Sequence, residues 1–424
     1  MVENIKSNDL RFWGLKSNQQ ILEVMGLHFV KMPSEGVLFK KDSHSGIIDW
    51  KNPFSISRFI NELEDFGLIA RESKMKRLID DERLPFVEPI QILYDIISQK
   101  EWSGRDWISE IRDNLNLKGD PEENLLLLTK FFTSAYSLSF KEIDPLLDWE
   151  PFNRVVLILY SHGRGFRKTS LARKIGCSGV LREKVGLDVD VYSDCNGALP
   201  KEQRLLDQIL VSNFLTNLDD IDGVLMNVKE KGRLRSIISS QTTTFRPLWS
   251  NSTKTALRRT SFIATTNKGH ILSDEEENRY LVFEMEDKID SSWMSNFDPL
   301  DLWRQVKQLA HKFKVDSRFT DEELDLIRKR TVNNLHTSPL EDLLREYFEY
   351  DPEGEMKMSE IKKVCWLNNI PFTNFSISSV LVKICGGDIT VAKKKKTGLM
   401  YWRLRERGDI GDIEESNLPK ELID

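Results

Sequence analysis

The chain has 424 residues, of which 40% are hydrophobic and 30% are charged, and its formal net charge at pH 7 is -6. At about 150 residues per domain, this length predicts roughly two to four domains that each bury a core. There is no run of about 18 apolar residues and no signal-peptide segment at the start, so we expect a cytoplasmic protein without a membrane span. The four cysteines lack C-x-x-C spacing, which argues against a disulfide framework or a zinc site.

The first part of the chain contains both kinds of secondary-structure pattern. In residues 1–80, three strand-like segments, LHFVKM, GVLFKK and GIIDW, lie between two helix-like segments. This predicts a small α/β unit without a motif that indicates its role. The charged segment RESKMKRLIDDER then marks either a boundary or a solvated helix face. In residues 85–150, apolar side chains recur at helical spacing, as in PIQILYDIISQKEW and ENLLLLTKFFTSAYSL, which predicts a helical subdomain.

The segment RVVLILYSHGRGFRKTSLA, residues 154–172, has the layout of a phosphate-binding loop. An apolar run typical of a buried strand precedes a basic turn with Gly163 and Gly165, and a helix-like segment begins at Lys168 and Thr169. In such a loop the glycines let backbone N–H groups close on phosphates, the lysine binds the terminal phosphates, and the hydroxyl is a ligand of Mg²⁺. The segment therefore predicts a site for ATP and Mg²⁺.

Two positions depart from the usual pattern, G-x-x-x-x-G-K-[ST]. His162 replaces the first glycine, and Arg167 replaces the glycine before Lys168. The arginine can clash where the backbone must wrap a phosphate, or its guanidinium can contact one. From this segment alone, nucleotide binding and a basic turn without a ligand are about equally supported.

Strand-like and helix-like segments keep alternating through residues 151–299, which predicts an α/β fold with a parallel sheet. The predicted strand NFLTNLDDID ends in carboxylates, of which Asp219 is suited to hold Mg²⁺ and Asp220 to orient an attacking water as a general base. The next, TSFIATTN, ends in Asn267, whose amide can polarise that water or the γ-phosphate, and Arg279 precedes a further strand. The alternative is a strand that ends in a solvated acidic turn.

Residues 300–408 are predicted to form helices and then a winged-helix DNA-binding domain, because a three-helix pattern precedes the hairpin-like DITVAKKKKTGLMYWRLR. The predicted wing tip before Gly398 consists of Lys393, Lys394, Lys395 and Lys396. Arg403 and Arg405 return along the second strand, and such a wing would neutralise DNA phosphates. The alternative is a solvated charge run without a partner. Residues 409–424 are acidic and are predicted to be disordered.

The order of these motifs resembles the virulence-associated protein E family, ATPases similar to superfamily 3 helicases that occur on bacterial mobile elements and phages. The likeness rests on LDDID, a helix, FRP, RRTSFIATTN and SDEEENRYLVFEM, with EWSGRDWI and VYSDCN upstream, and it covers residues 85–316. Within the family, the sequence most resembles a branch that is frequent in Bacteroidetes. The resemblance implies an AAA+-like P-loop ATPase core that forms a homo-oligomeric ring, such as a hexamer, with sites shared between neighbours.

The resemblance also implies roles for matching residues of the nucleotide site. Lys168 and Thr169 would hold the phosphates and Mg²⁺, and Asp219 stands at the position of the metal-holding aspartate. Asp220 stands where the family usually has its catalytic glutamate, and Asn267 matches the sensor asparagine.

Four arginines have implied roles outside that group. Arg279 matches the first arginine of a pair that can act as a finger on a neighbour's nucleotide. Arg246, Arg258 and Arg259 match basic positions of a loop and a strand, for which gripping DNA or a part in the active site is implied.

The favoured function is a DNA-dependent ATPase, helicase-like or replication-initiating, of a mobile element or phage. The changed loop glycines, the short Asp220 and Tyr280 in place of the second arginine support an alternative from another class. That alternative is a hydrolysis-deficient DNA-binding or regulatory relative with a degraded P-loop. A structural scaffold without DNA agrees least with the basic hairpin.

Overall fold

Two units divide the chain in the computed structural model, Met1–Asn334 and Leu335–Asp424. The structure describes residues 28–32, 37–42, 45–55, 57–58, 60–61, 73, 84–147, 153–245, 253–268, 272, 278–332, 339–368, 370–385, 389–396 and 399–406. Most of residues 1–80 and all of residues 409–424 therefore lie outside the described part of the chain.

A three-stranded antiparallel sheet lies among the described residues of the first unit. Its strands, which neighbour one another in chain order, are β1 (Phe29–Met32), β2 (Val37–Lys41) and β3 (Ile48–Phe54). The three strand-like segments predicted here are confirmed. Phe39 of β2 is buried and contacts Trp50 of β3 edge-on, with 4.9 Å between ring centroids, so aromatic packing joins these two strands.

Three helices lie within residues 84–147, as the helical spacing of residues 85–150 predicts. They are α1 (Pro89–Ser98), α2 (Trp107–Leu115) and α3 (Pro121–Phe140). The side chains of Asp106 and Asp120 accept hydrogen bonds from the free N–H groups in the first turns of α2 and α3. Pro121 begins α3, where its missing N–H group costs no hydrogen bond.

Five parallel strands form the central sheet. In chain order, the elements from the first to the last of these strands are β4 (Val156–Tyr160), α4 (Lys168–Ile175), α5 (Val180–Val185), β5 (Tyr192–Asn196), α6 (Gln203–Ser212), β6 (Leu215–Asp219), α7 (Asp222–Met226), α8 (Val228–Ser239), β7 (Thr242–Phe245), β8 (Lys254–Leu257), β9 (Ser261–Thr266) and β10 (Tyr280–Glu284). The order across the sheet is β10-β4-β9-β6-β5, and β7 and β8 pair as a separate antiparallel hairpin. The predicted α/β fold with a parallel sheet is confirmed.

One strand of this sheet differs from its prediction. The alternation in LDVDVY, residues 187–192, predicts a strand there, but β5 begins at Tyr192 and continues through the polar sequence YSDCN. Each residue of β5 pairs with one residue of β6, and this pairing sets the bounds of the strand. Leu187 and Val191 are instead buried in the core before the strand begins.

Three helices follow the central sheet among the described residues of the first unit. They are α9 (Ser291–Asn296), α10 (Pro299–His311) and α11 (Asp321–Val332). Trp303 of α10 is fully buried, and its ring centroid lies 5.6 Å from that of Phe132 in α3 and 4.5 Å from that of Phe214 before β6. Because α10 supplies part of this aromatic core, the first unit extends beyond the boundary predicted at residue 300.

The second unit combines short helices and hairpins around its own core. Its elements are α12 (Pro339–Tyr347), β11 (Phe348–Tyr350), α13 (Met358–Leu367), α14 (Asn374–Ile384), α15 (Ile389–Ala392), β12 (Lys393–Lys396), β13 (Leu399–Trp402) and β14 (Leu404–Glu406). Three helices followed by the β12–β13 hairpin agree with the predicted order. The lysine run was expected at the tip of the wing, but it forms strand β12, because the short helix α15 occupies the segment predicted as the first strand.

The cysteines and the apolar character of the helices bear on the two predictions about disulfides and membrane spans. All four cysteines are buried and free. Among the described helices, none combines the length and the apolar character that crossing a bilayer requires.

Candidate functional site

The loop between β4 and α4 carries the predicted phosphate-binding residues. Ser161 follows β4 directly, and α4 begins with Lys168 and Thr169. The backbone is left-handed at Gly165, with φ 81°, and at Arg167, with φ 63°. Glycine adopts this conformation freely, whereas a residue with a Cβ atom adopts it at a cost of about 1 kcal/mol. The loop therefore keeps a turn suited to glycine although an arginine stands there.

Lys168 joins the start of α4 to the carboxyl ends of two strands. Its Nζ donates to Ser161 Oγ at 2.5 Å, just beyond β4, and to Asn267 Oδ1 at 2.8 Å, just beyond β9. The residue is only 7% exposed, and burial lowers the pKa of its amine to about 8, although Asp220 and Asp219 act in the opposite direction. A buried cation at a helix N-terminus, with partners that phosphate oxygens can replace, is suited to bind an anion.

Thr169 contacts Asp219 at the end of β6. The Thr169 hydroxyl donates to Asp219 Oδ1 at 2.8 Å, and the hydroxyl of Thr265 donates to the same oxygen. Adjacent ligands of an octahedral Mg²⁺ ion are about 2.9 Å apart, so these two oxygens have the chemistry and the spacing of Mg²⁺ ligands. No group of three or more His, Cys or acidic residues that could hold a metal occurs in the described part of the chain, so phosphate oxygens and water would complete the shell.

Asp220 and Asn267 lie side by side at the same edge of the sheet. Asn267 Nδ2 is 3.4 Å from Asp220 Oδ1, while Asn267 Oδ1 accepts from Lys168. Lys268, the next residue, donates to Asp222 Oδ2 at 2.6 Å. Acidic and basic side chains therefore lie close together at the carboxyl ends of the strands, where ligands bind in open α/β sheets.

The residues that replace the two loop glycines have partners outside the loop, on β4, on β10 and after β10. The His162 Nε2 atom lies 3.1 Å from Glu284 Oε1, and its Nδ1 atom lies 2.8 Å from the hydroxyl of Tyr160. Arg167 Nη1 donates to the backbone carbonyl of Ile289. The guanidinium of Arg167 is thus bound outside the loop, rather than clashing within it.

Arg279 is not brought to Lys168 within one chain. It precedes β10, and its carbonyl accepts a hydrogen bond of 2.7 Å from the N–H group of Val156, where β4 and β10 begin. Lys168 lies at the carboxyl edge of the same sheet. The 5 residues of β10 span about 16 Å. Arg279 and Lys168 are therefore placed at opposite ends of these strands.

The implied basic positions at 246, 258 and 259 differ in their surroundings. Arg258 is 1% exposed, and burial lowers the pKa of its guanidinium to about 10. It donates to the backbone carbonyls of Asn153, Ile238, Ser240 and Thr260. This arginine links backbone segments of the core, and its buried guanidinium is not accessible to DNA. Arg259 pairs with Glu142 at 2.8 Å, and Arg246 lies outside the described residues.

Part of the lysine run on β12 is neutralised by one carboxylate. Glu355 pairs with Lys394 and Lys396, at Nζ–O distances of 3.0 and 2.9 Å. Lys395 and Lys396 are exposed. The strand therefore presents accessible positive charge.

The other basic residues of this hairpin have partners within the second unit. Lys393 Nζ lies 4.4 Å from the ring centroid of Trp402. Arg403 lies between β13 and β14, and its N–H group donates to the Ala392 carbonyl. Arg405 lies on β14 rather than on the second strand of the wing, because β14 pairs with β11.

Three polar residues of the central sheet, near the carboxyl ends of its strands, are missing from the sequence-based prediction. Ser161 binds Lys168, and Thr265 binds Asp219. Asp194 of β5 accepts a hydrogen bond from the α4 side chain Arg173 at 2.6 Å. Each is a polar residue within or directly after a strand of the central sheet, and that position was the available signal.

Residues 152–335 match the family model of the virulence-associated protein E-like domain. The resemblance predicted from the sequence is therefore confirmed over this part of the chain, which contains the whole central sheet. None of the curated proteins compared with the chain matches it.

The chain is also similar to two solved structures of the NrS-1 C-terminal region. The apo structure is 13% identical, with 87% of this chain and 86% of that chain covered and a TM-score of 0.43. The A-form apo structure is 14% identical, with coverages of 79% and 76% and a TM-score of 0.43.

Proposed function

We propose that the chain is a DNA-dependent ATPase, helicase-like or replication-initiating, of a mobile element or phage. The observation that carries this proposal is the convergence of Lys168, Thr169 and Asp219 at one edge of the parallel sheet, at the start of α4. The family match over residues 152–335 supports the same class, a P-loop core of the AAA+-like type.

At this edge, ATP would supply the phosphoanhydride bond and Mg²⁺ would neutralise phosphate charge. Lys168 would exchange Ser161 Oγ and Asn267 Oδ1 for phosphate oxygens, while N–H groups at the start of α4 bind others. Thr169 and Asp219 would hold the metal ion through the oxygens that now share a hydrogen bond.

Asp220 is the residue that would orient the attacking water. Its carboxylate lies next to Asn267 Nδ2, at 3.4 Å, and Asn267 also contacts Lys168. The asparagine thereby couples the position of the base to that of the phosphate-binding amine. A water held by Asp220 would pass its proton to that carboxylate as it attacks.

The partners we propose are DNA and further copies of the chain. The accessible lysines of β12 and the predicted contact at Arg246 support DNA binding through phosphates. The separation of Arg279 from Lys168 supports a ring in which neighbours share sites.

Steady-state ATP hydrolysis with and without single-stranded DNA tests this proposal. We expect DNA-stimulated turnover in the wild type and turnover at background level in Lys168→Ala. Lys184→Ala is the matched control, because Lys184 pairs only with its neighbour Glu183 among the described residues and its side chain is 45% exposed. Wild-type turnover that equals that of Lys168→Ala would contradict the proposal.

A second candidate, a hydrolysis-deficient DNA-binding or regulatory relative, is supported by the left-handed backbone of Arg167 and its tether to Ile289. In that case the loop would not close on phosphates. DNA binding measured by fluorescence anisotropy would then persist, equal in the wild type and Lys168→Ala, without turnover in either protein.

A further inference from the structure

Two contacts join α4 to the β5–β6 part of the sheet. The first is the hydrogen bond from Thr169 to Asp219. The second lies one helical turn further along α4, where Arg173 Nε donates to Asp194 Oδ2 at 2.6 Å. The other oxygen of Asp194 accepts from Asn217 Nδ2 of β6 at 2.9 Å. Asp194 thus connects the same helix to the same strand as the first contact does.

The strand register places this second contact directly beside the first. Asp194 pairs with Asn217, and Asn196 pairs with Asp219, so both contacts lie on the helix-facing side of neighbouring strands. Tyr192 completes the group by donating its hydroxyl to Asp194 Oδ1 at 2.6 Å. One residue of β6, Leu218, separates the buried amide of Asn217 from the carboxylate of Asp219.

A contribution to folding stability alone does not explain why polar side chains occupy these positions. Asn217 is fully buried, and its Oδ1 atom has no hydrogen-bond partner among the described residues. Burying such a carbonyl without a partner costs about 1–3 kcal/mol, which an apolar side chain would avoid. Asp194 is partly desolvated, yet its hydrogen bonds to Tyr192, Asn217 and Arg173 hold its pKa below the usual value. The group therefore places a charged, multiply bonded carboxylate between helix and sheet.

We propose that Asp194 is a positioning residue that keeps Thr169 and Asp219 at the spacing Mg²⁺ requires. The proposal rests on the function proposed above and adds residues to its metal site. Mg²⁺ demands near-ideal octahedral geometry, whereas Ca²⁺ accepts longer and more variable bonds. If the link through Arg173 and Asn217 is lost, α4 can shift against β6, and the ion with the stricter geometry is affected more.

The test compares the ions that support binding of a fluorescent, non-hydrolysable ATP analogue to the full chain. For Asp194→Asn, we expect the affinity measured with Mg²⁺ to fall about tenfold, as for other residues that position metal ligands. The affinities measured with Ca²⁺ and without a divalent ion should change by less than about threefold. Arg173→Ala should reproduce this selectivity, because it removes the helix end of the link from a side chain that is 56% exposed.

The matched control is Asp188→Asn, which removes one carboxylate from an ion pair with Arg182 whose side chains are 75% and 81% exposed. We expect it to bind as the wild type does with either ion. Equal weakening of all three affinities in Asp194→Asn would indicate a structural role and overturn the proposal. So would an unchanged affinity with Mg²⁺. A wild type that binds no analogue under any condition would overturn the proposed function as well, which distinguishes the two failures.

Discussion

Arg167 holds a backbone conformation that normally favours glycine, and this makes its Cβ atom a measurable source of strain. Its φ is 63°, and its guanidinium is bound to the Ile289 carbonyl. Arg167→Ala and Arg167→Gly both remove that hydrogen bond, but only the glycine variant removes the Cβ atom. We therefore expect Arg167→Gly to be the more stable of the two by about 1 kcal/mol in urea denaturation.

A matched pair at a relaxed position controls for the glycine itself. Arg164 precedes Gly165 in the same exposed loop and is not among the residues with positive φ. There we expect the alanine variant to be as stable as the glycine variant, or more so, because glycine loses more backbone entropy on folding. If Arg167→Gly were no more stable than Arg167→Ala, the left-handed backbone at that residue would be contradicted.

Burial gives Lys168 a pH dependence that nucleotide binding should follow. Its pKa is about 8, against an ordinary 10.5, so the ammonium that we propose binds phosphates is lost as the pH rises through about 8. At pH 9 only about a tenth of the amine stays charged, so we expect the affinity for an ATP analogue to fall about tenfold between pH 7 and 9. Lys168→Met should bind weakly with no such step. A flat profile for the wild type would contradict the link between Lys168 and phosphate.

The stability of the nucleotide-free protein should change with the opposite sign. Because the pKa of Lys168 is lower in the folded chain than in the unfolded chain, the unfolded chain binds more protons between about pH 8 and 10.5. The contribution of this residue to folding therefore becomes more favourable as the pH rises through that window. Nucleotide would raise the pKa again by placing phosphates beside the amine.

At the scale of elements, what the sequence could predict depended on whether local pattern or tertiary pairing decides the structure. The apolar run before Ser161 and the Lys-Thr pair predicted β4, the loop and the start of α4, because hydrophobic periodicity and loop chemistry act locally. The strand β5 could not be predicted from YSDCN, because its pairing with β6 overrides a weak strand propensity. The partners of Lys168 could not be predicted either, since Ser161 and Asn267 meet only after the sheet forms.

Strand β12 offers a prediction for the second unit, because Glu355 would compete with DNA, the proposed partner, for its lysines. The carboxylate pairs with Lys394 and Lys396, whose ammonium groups hold its pKa below the usual value. Glu355→Gln would free both groups for phosphates. We expect the affinity for single-stranded DNA at low salt to rise about threefold or more, and the slope of log affinity against log salt to steepen by about one. Fluorescence anisotropy over a salt series measures both quantities.

Asp325→Asn is the control, because it removes the same charge from an exposed pair with Arg328 in the first unit. Its affinity and salt slope should equal those of the wild type. If both variants gained affinity equally, net charge alone would explain the effect. If neither changed, the lysines of β12 would not contact DNA.

At the scale of the whole molecule, the proposed ring depends on the position of Arg279 at the edge of the sheet opposite Lys168. Arg279→Ala should bind an ATP analogue as the wild type does and lose about 10³-fold or more in turnover, as when an arginine finger is removed. Lys168→Ala should be inactive for a separate reason, because it lacks the amine proposed to bind phosphates. In a mixed oligomer, a Lys168→Ala subunit can still supply Arg279 to the intact site of an Arg279→Ala neighbour. We therefore expect a mixture of the two variants, assembled together, to hydrolyse ATP faster than either variant alone.

Turnover equal to the average of the two variants would contradict a shared site. The control is the double variant Lys168→Ala/Arg279→Ala, which carries both substitutions in one chain. When it replaces either partner in the mixture, the recovery of turnover should be lost, because no site then combines Lys168 with Arg279 from a neighbour.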